Sequence, residues 1–264
     1  MAARKAHQPN LSGILEEMTL EDVRAFKPQV AVLPLGSTEP HGPHLPYATD
    51  TIIAGTLGRM GVEKANARGA RALLYPTLPI TVNVNFTAFP FACRIGVRTL
   101  LSVLADIAKQ CREDGVKKLV FLNCHGGNTA TVQAALREIH SLPDMPFVCA
   151  ASRLSPDGFK TPIEHPSDHA GEDETSKILA ARPDLVRMDK FALNPVGKVK
   201  VPTLMTQTEF VRPWHLYVPT SACGETRKAS AEKGRVVFEA RSGALADLLV
   251  ELSKAKFDKR FPYA

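Results

Sequence analysis

Four short apolar runs, QVAVLPLG (29–36), ARALLYPTLPI (70–80), KKLVFLN (117–123) and MPFVCAAS (145–152), alternate with longer stretches of a different rhythm. The runs are bounded by proline, glycine or asparagine, as strands buried on both faces are. Between them, TIIAGTLGRMGVEKANARG reads as a helix ending at Gly69, and TATVQAALREIHS and GEDETSKILAA read as two more, the latter stopped by Pro183. Over 96–115, Val97, Leu100, Leu101, Leu104, Ile107 and Cys111 keep helical spacing. A last helix is expected from about Ser230 to Lys254, with Val237, Ala244, Leu248 and Leu252 on one stripe. Near the start, Thr19 and Asp22 read as a capping box. Strands alternating with helices predict an α/β fold: a single compact domain over 1–264, its mainly parallel β-sheet flanked by helices on both faces. Residues 155–168 and 194–224 are rich in proline and lack periodicity, the kind of loop that carries function in a compact domain.

Composition narrows the function by exclusion. The first residues, MAARKAHQPNLSGILEEM, hold no apolar signal core, and no apolar run nears the length that spans a bilayer. A cytoplasmic protein without membrane partners is expected. Five cysteines, an odd number with no CxxC pair, make a poor disulfide framework and a poor thiolate metal site. Cys124 stands beside His125, yet its apolar lead-in KLVFLNC favours a buried strand-end thiol over a nucleophile. The net charge of +6 is scattered, and aromatics, 6% of the chain, do not interleave with it, which argues against nucleic acid.

The chemistry sits where the strands end. In open α/β sheets, ligands bind beyond the carboxyl ends of the strands. The loop LGSTEPHGPHLPYATD (35–50) leaves the first strand, NCHGGN (123–128) leaves the third, and SDHAGEDETS (167–176) opens a helix. Together they offer Glu39, His41, His44, Asp50, His125, Asp168, His169, Glu172, Asp173 and Glu174. Glu39 and His41 are two apart, so on extended backbone they face one spot. Pro40, Pro43 and Pro46 stiffen their loop. Asp50, at a helix start, offers two oxygens, and one such carboxylate can bridge two divalent ions. Mixed histidine and carboxylate donors suit Zn, Mn or Fe better than Ca or Mg. Taken singly, each residue has a plainer role: His41 and His44 as packing, Asp50 as a cap, HGGN as a turn with Asn128 capping the next helix. The acids of DHAGEDETS can match a helix dipole, but His169 cannot when protonated, and a lowered pKa there suits acid–base work.

At these residues the chain resembles the creatininase (creatinine amidohydrolase) family. LGSTEPHGPHLPYATDT, NCHGGN, HAGEDETS and KASAEKGR are similar to its blocks, in its order, over roughly 15–250. The resemblance implies a compact α/β hydrolase with two divalent metal ions, acting on carbon–nitrogen bonds other than ordinary peptide bonds, and a homo-oligomer, often a hexamer. By position, Glu39, Asp50 and His125 would hold one metal, and His41 with the bridging Asp50 the other. His169 falls where the family places a histidine near the scissile bond. Creatininase proper carries a metal-binding glutamate at the position of Gly127, so a further carboxylate is needed. Glu172 is the first choice, three residues after His169 on one helix face, and Glu174 the second. Creatininase proper also closes its pocket with tryptophans, whereas this chain has Trp214 alone, in VRPWHLYVP. Family branches with the glycine-containing turn include nucleotide-intermediate deformylases and a peptidase for a redox-cofactor precursor. The expectation is therefore hydrolysis of a cyclic amide or formamide in a small-molecule substrate by a metal-bound hydroxide, with His169 as proton donor. A peptidase acting on a cofactor-precursor peptide and a non-catalytic metal- or ligand-binding relative are the alternatives.

Overall fold

The computed structural model describes residues 10–152, 154–165, 169–192 and 196–263. Each apolar run contains a strand: β1 (Val30–Leu35), β2 (Ala72–Leu74), β3 (Lys118–Asn123) and β4 (Phe147–Ala151). They form one sheet in the order β2-β1-β3-β4, with every neighbouring pair parallel. The helices are α1 (Leu20–Phe26), α2 (Thr49–Ala67), α3 (Val97–Glu113), α4 (Thr129–Ser141), α5 (Glu172–Ala181), α6 (Thr203–Gln207), α7 (Trp214–Tyr217) and α8 (Ala231–Lys254). This is the predicted single α/β domain.

The sheet is covered twice because its strands alternate. Val30, Val32, Val120 and Leu122 pack with Ile53 and Leu57 of α2, Ile178 of α5, and Leu245 and Leu249 of α8. Their neighbours Ala31, Leu33, Leu35, Leu119 and Phe121 turn to the other face, against Leu100 and Leu104 of α3 and Val132 and Ile139 of α4. Phe121 is fully buried, and truncating such a side chain to alanine costs about 3–5 kcal/mol. No described helix is long and apolar enough to cross a membrane.

Near the start of the chain one local signal behaves as read and one does not. Thr19 accepts from the Asp22 N–H at 3.4 Å while Asp22 Oδ2 accepts from the Thr19 N–H at 2.8 Å, closing the capping box on α1. Pro34, expected to end the first strand, instead lies inside it. Its carbonyl accepts from Leu78 on the side where β2 has already stopped, so its absent N–H removes no rung of the β1–β2 ladder.

Strand order positions the site. From β1 the chain goes to β2 on one side, and then places β3 on the other. The order therefore reverses between β1 and β3, the crevice in which such sheets bind ligands. The two histidine-bearing loops leave those two strands.

Candidate metal centre

Beyond β1 the loop is tied to its surroundings at short intervals. Gly36 donates its N–H to Leu78 and Cys124 donates to Leu35, each at 3.0 Å, so the ends of β1 and β3 advance together. Glu39 and His41 both turn inward and are fully buried, as their spacing predicts. Asp50 is the second residue of α2, where the helix N-terminus favours an anion. His125 lies two residues past β3.

These side chains form overlapping sets of donors. Glu39, Asp50 and His125 make one and His41, Asp50 and Glu174 another, each with its donor atoms within 4.8 Å of one another. Asp50 belongs to both. Its Oδ1 is 3.3 Å from His41 Nε2, and its Oδ2 is 3.0 Å from His125 Nδ1. A third set joins Glu39 and His41 to His169.

The histidines show what the sets are built for. His41 Nδ1 is 3.1 Å from the Glu39 carbonyl, His125 Nε2 3.0 Å from the Val82 carbonyl and His169 Nε2 2.9 Å from the Pro40 carbonyl. A carbonyl only accepts, so each of these nitrogens carries the proton. The other nitrogen of each ring is the one turned toward carboxylates, the arrangement of a metal-ligating imidazole once that nitrogen gives up its proton. Glu39 Oε1, His41 Nε2 and Asp50 Oδ2 are buried without any hydrogen-bond partner, despite the short distances. The atoms are near one another but not aimed at one another; they point at shared space. Ser37 Oγ donates to Glu39 Oε2 at 2.9 Å and Asn83 Nδ2 donates to Ser37 Oγ at 3.2 Å, which holds the carboxylate in place.

Electrostatics agree. Burial, with Asp50 adding to it, pushes the Glu39 carboxyl up to about 7 against the pull of His125 and His41. Burial opposes protonation of His41 and His125, but Asp50 chiefly raises the first to about 10 and Glu39 the second to about 9. Asp50 is held well below the usual carboxylate range, because His41 and His125 outweigh its burial. Crowded, buried carboxylates thus retain protons on their neighbours, which divalent cations displace on binding. His169 moves the other way: burial and His41 hold it well below 6.5, so its ring is neutral.

Glu172 is not among the donors. Its Oε1 accepts from Lys233 Nζ at 2.6 Å and its Oε2 from the N–H groups of His165 and Glu164, at 2.7 and 3.1 Å. Glu174 takes the place expected of it, with Oε2 3.8 Å from His41 Nε2. The expectation assumed that His169 and Glu172 share a helix. The helix starts only at Glu172, after Ala170 at φ 52°, so the two do not share a helix face. Lys233, in the KASAEKGR block, was the overlooked partner. His44 is buried with Nε2 3.1 Å from Thr175 Oγ1, a packing role. Asp168 lies outside the described residues. Asn128 caps no helix; its Oδ1 accepts from the Val82 N–H and its Nδ2 donates to the Gly36 carbonyl, each at 3.2 Å, which pins both loops. Burial pushes the Cys124 thiol up to about 12, as a strand-end thiol and not a nucleophile.

The creatinine amidohydrolase (creatininase) family model matches residues 16–249. The chain belongs to the creatininase family. It is 29% identical to a mycofactocin precursor peptide peptidase of Mycobacterium ulcerans, over 78% of this chain and 79% of that one. Against the creatinine amidohydrolase of Pseudomonas putida it is 26% identical, over 84% and 89%. The crystal structure of a candidate creatinine amidohydrolase from Bacteroides fragilis superposes with a TM-score of 0.82 at 30% identity, covering 95% of this chain and all of that one.

Within this creatininase-family centre, Gly127 is a space requirement. A Cβ there would lie 2.4 Å from His125 Nε2 and 2.6 Å from the Val82 carbonyl, the two atoms whose contact orients His125. A cavity of about 480 Å³ adjoins the donors, lined by Asn83, Phe86, His169, Phe210, Arg212 and Trp214 among others. Trp214 stacks on Phe86, with ring centroids 5.2 Å apart, and packs on His169 at 4.9 Å. Asn83, Phe86 and Arg212 went unread in the sequence because they stand in aperiodic loops and carry no spacing signal.

Proposed function

We propose that the chain is a metal-dependent amidohydrolase that cleaves a carbon–nitrogen bond, in a cyclic amide or formamide, at a centre of two divalent ions (Zn, Mn or Fe). The observation that carries this reading is the set of three buried histidines, each donating one N–H to a backbone carbonyl and turning its other nitrogen toward carboxylates. Glu39, Asp50 and His125 would hold one ion, and His41, Asp50 and Glu174 the other. Such ions supply Lewis acidity and lower the pKa of a bound water. Against two divalent cations, the three carboxylates leave one net positive charge, suited to a developing oxyanion. His169 lines the adjoining cavity with its Nδ1 unprotonated. It is placed to take a proton from the water, and burial makes its protonated form a strong acid toward the departing nitrogen.

A peptidase reading is supported by the similarity to the mycobacterial enzyme. Self-association into a homo-oligomer, such as a hexamer, has support in an apolar groove between α2, α5 and α8, lined by Met60, Ala180, Ala181 and Val236. The test is to reconstitute the protein with Zn or Mn, measure metal per chain, and screen cyclic amides, formamides and short peptides. Two ions per chain and turnover of one class are expected. Absence of bound metal after reconstitution would overturn the reading, and two ions with no turnover would favour a binding-only relative.

A further inference from the structure

A second cavity, of about 210 Å³, borders two of the same donors, His125 and Glu174. His125, Gly126, Thr129 and Glu174 line both cavities, so the two adjoin at these residues beside the centre. The first is walled by aromatics and His169. The second is different: Ile53, Leu57, Leu154 and Phe238 form an apolar wall, and Lys177 and Arg241 add two cations.

Lys177 is the unusual residue there. Its side chain is only 4% exposed, and lysines are almost never so buried unless paired. Its pair is Asp173, whose Oδ2 accepts from Lys177 Nζ at 2.5 Å. The same oxygen is 3.7 Å from Arg241 Nη2, so one carboxylate serves two cations. Once Glu174 and His125 are committed to the centre, the cavity retains a net positive charge. Asp173 Oδ1 is buried without a partner, leaving room for one hydrogen-bond donor. Lys177 follows Glu174 by three residues on α5, which makes their side chains neighbours, about 5–6 Å apart at Cβ.

We propose that this cavity is a substrate subsite for an acyl arm ending in a carboxylate, which Lys177 and Arg241 bind while the carbons of the arm lie on Ile53, Leu57 and Phe238. The proposal rests on the metal-dependent amide hydrolysis of the hydrolase reading but replaces its cyclic amide or formamide with an open-chain amide, since a formamide has no acyl arm. His169, which serves the departing nitrogen, stands in the aromatic cavity, so the acyl side of the amide falls to this one. The substrate class is a half-amide of a short dicarboxylic acid, its free carboxylate a few carbons from the scissile carbonyl. Hydrolysis breaks the bond between acyl carbon and nitrogen; water gives its hydroxyl to the carbon and a proton to the nitrogen, releasing an amine and a dicarboxylic acid monoanion, whose new carboxyl group then loses its proton to solvent. The volume, below the roughly 300–1,000 Å³ of drug-sized sites, suits so small an arm.

The probes are N-phenylsuccinamic acid and its neutral diamide counterpart, N-phenylbutanediamide. Calorimetry on the Zn-loaded protein should show the acid binding at least about tenfold tighter, since a hydrogen bond to a charged group is worth roughly a 10- to 100-fold change in affinity. Lys177→Met should weaken the acid far more than the diamide and so abolish that preference, while Lys177→Arg should retain it. Should Lys177→Met fail to fold, Arg241→Met, at a side chain 35% exposed, carries the same comparison. Equal binding of the two probes, no binding of either, or a preference that survives both methionine variants would overturn the proposal. Because the readout is binding, it stands apart from the turnover screen: a protein that hydrolyses no amide would sink the hydrolase reading and still report on this pocket.

Discussion

The loop beyond β1 and the segment leading into α5 both deliver a carboxylate and an imidazole to the centre, under different constraints. Glu39 and His41 follow a strand held on both sides, with Gly36 donating to Leu78 and the Glu39 N–H to Tyr47. His169 and Glu174 come from a turn with Ala170 at φ 52° followed by the first residues of a helix. The His169 carbonyl accepts from Cys223 and the Ala170 N–H donates to Glu174 Oε2, so one side is a frame built by the sheet and the other is tied partly through its own ligand. A ligand on a sheet-built frame is pre-positioned; one at a helix entry depends on where the helix begins. The two sides should therefore respond differently to mutation.

The harshest way to break the comparison is at the residue common to both metal sets. Asp50→Ala should remove most of both ions and, since metal polarisation supplies several kcal/mol, lower turnover by about 10³-fold or more. Elemental analysis beside a rate measurement checks this; an Asp50→Ala protein that keeps two ions would break the bridge assignment.

Next in size is His169. His169→Ala should cost about 10²–10⁴-fold in turnover with metal content nearly intact, and less on an amide whose leaving amine is already activated. Its place beside Glu39 and His41 sets the rival outcome. Loss of an ion in this variant, or equal losses on both amides, would make it a ligand and not an acid.

The smallest effects sharpen the comparison within α5. Glu174→Gln should weaken one ion by about 10- to 100-fold or more, the range already lost with outer-shell partners. Glu172→Gln should leave metal affinity unchanged. It should instead lower the melting temperature by about 3–12 °C, from a charge-assisted contact with Lys233 worth about 1.5–3 kcal/mol. Metal titration and thermal melts on both variants separate the roles; the reverse pattern would return the site to Glu172.

The legible part of the centre is the part that hangs on the sheet. Strand periodicity puts residues two apart on one side, so the spacing of Glu39 and His41 already states their convergence. Placing Asp50 at a helix start and His125 just past a strand needs only the ends of elements, which prolines, glycines and apolar runs mark. The choice between Glu172 and Glu174 was not legible. It turns on where α5 begins and on Lys233, 61 residues away in sequence, taking Glu172.

By itself, the sequence determined the element order, the alternation that buries both faces of the sheet, and the gathering of metal-ligating residues at strand ends, because these follow from short-range periodicity and backbone chemistry. Tertiary structure decided how the imidazoles of His125 and His169 are turned, since the carbonyls of Val82 and Pro40 that hold them come from other parts of the chain, whereas His41 is held locally by Glu39, two residues away. It decided too that Gly127 must stay small and that Lys177 and Arg241 share one carboxylate. The deciding contacts, Val82 with His125 and Gly127, Pro40 with His169, and Arg241 with Asp173, join parts of the chain far apart in sequence, and no local pattern encodes the distance between them.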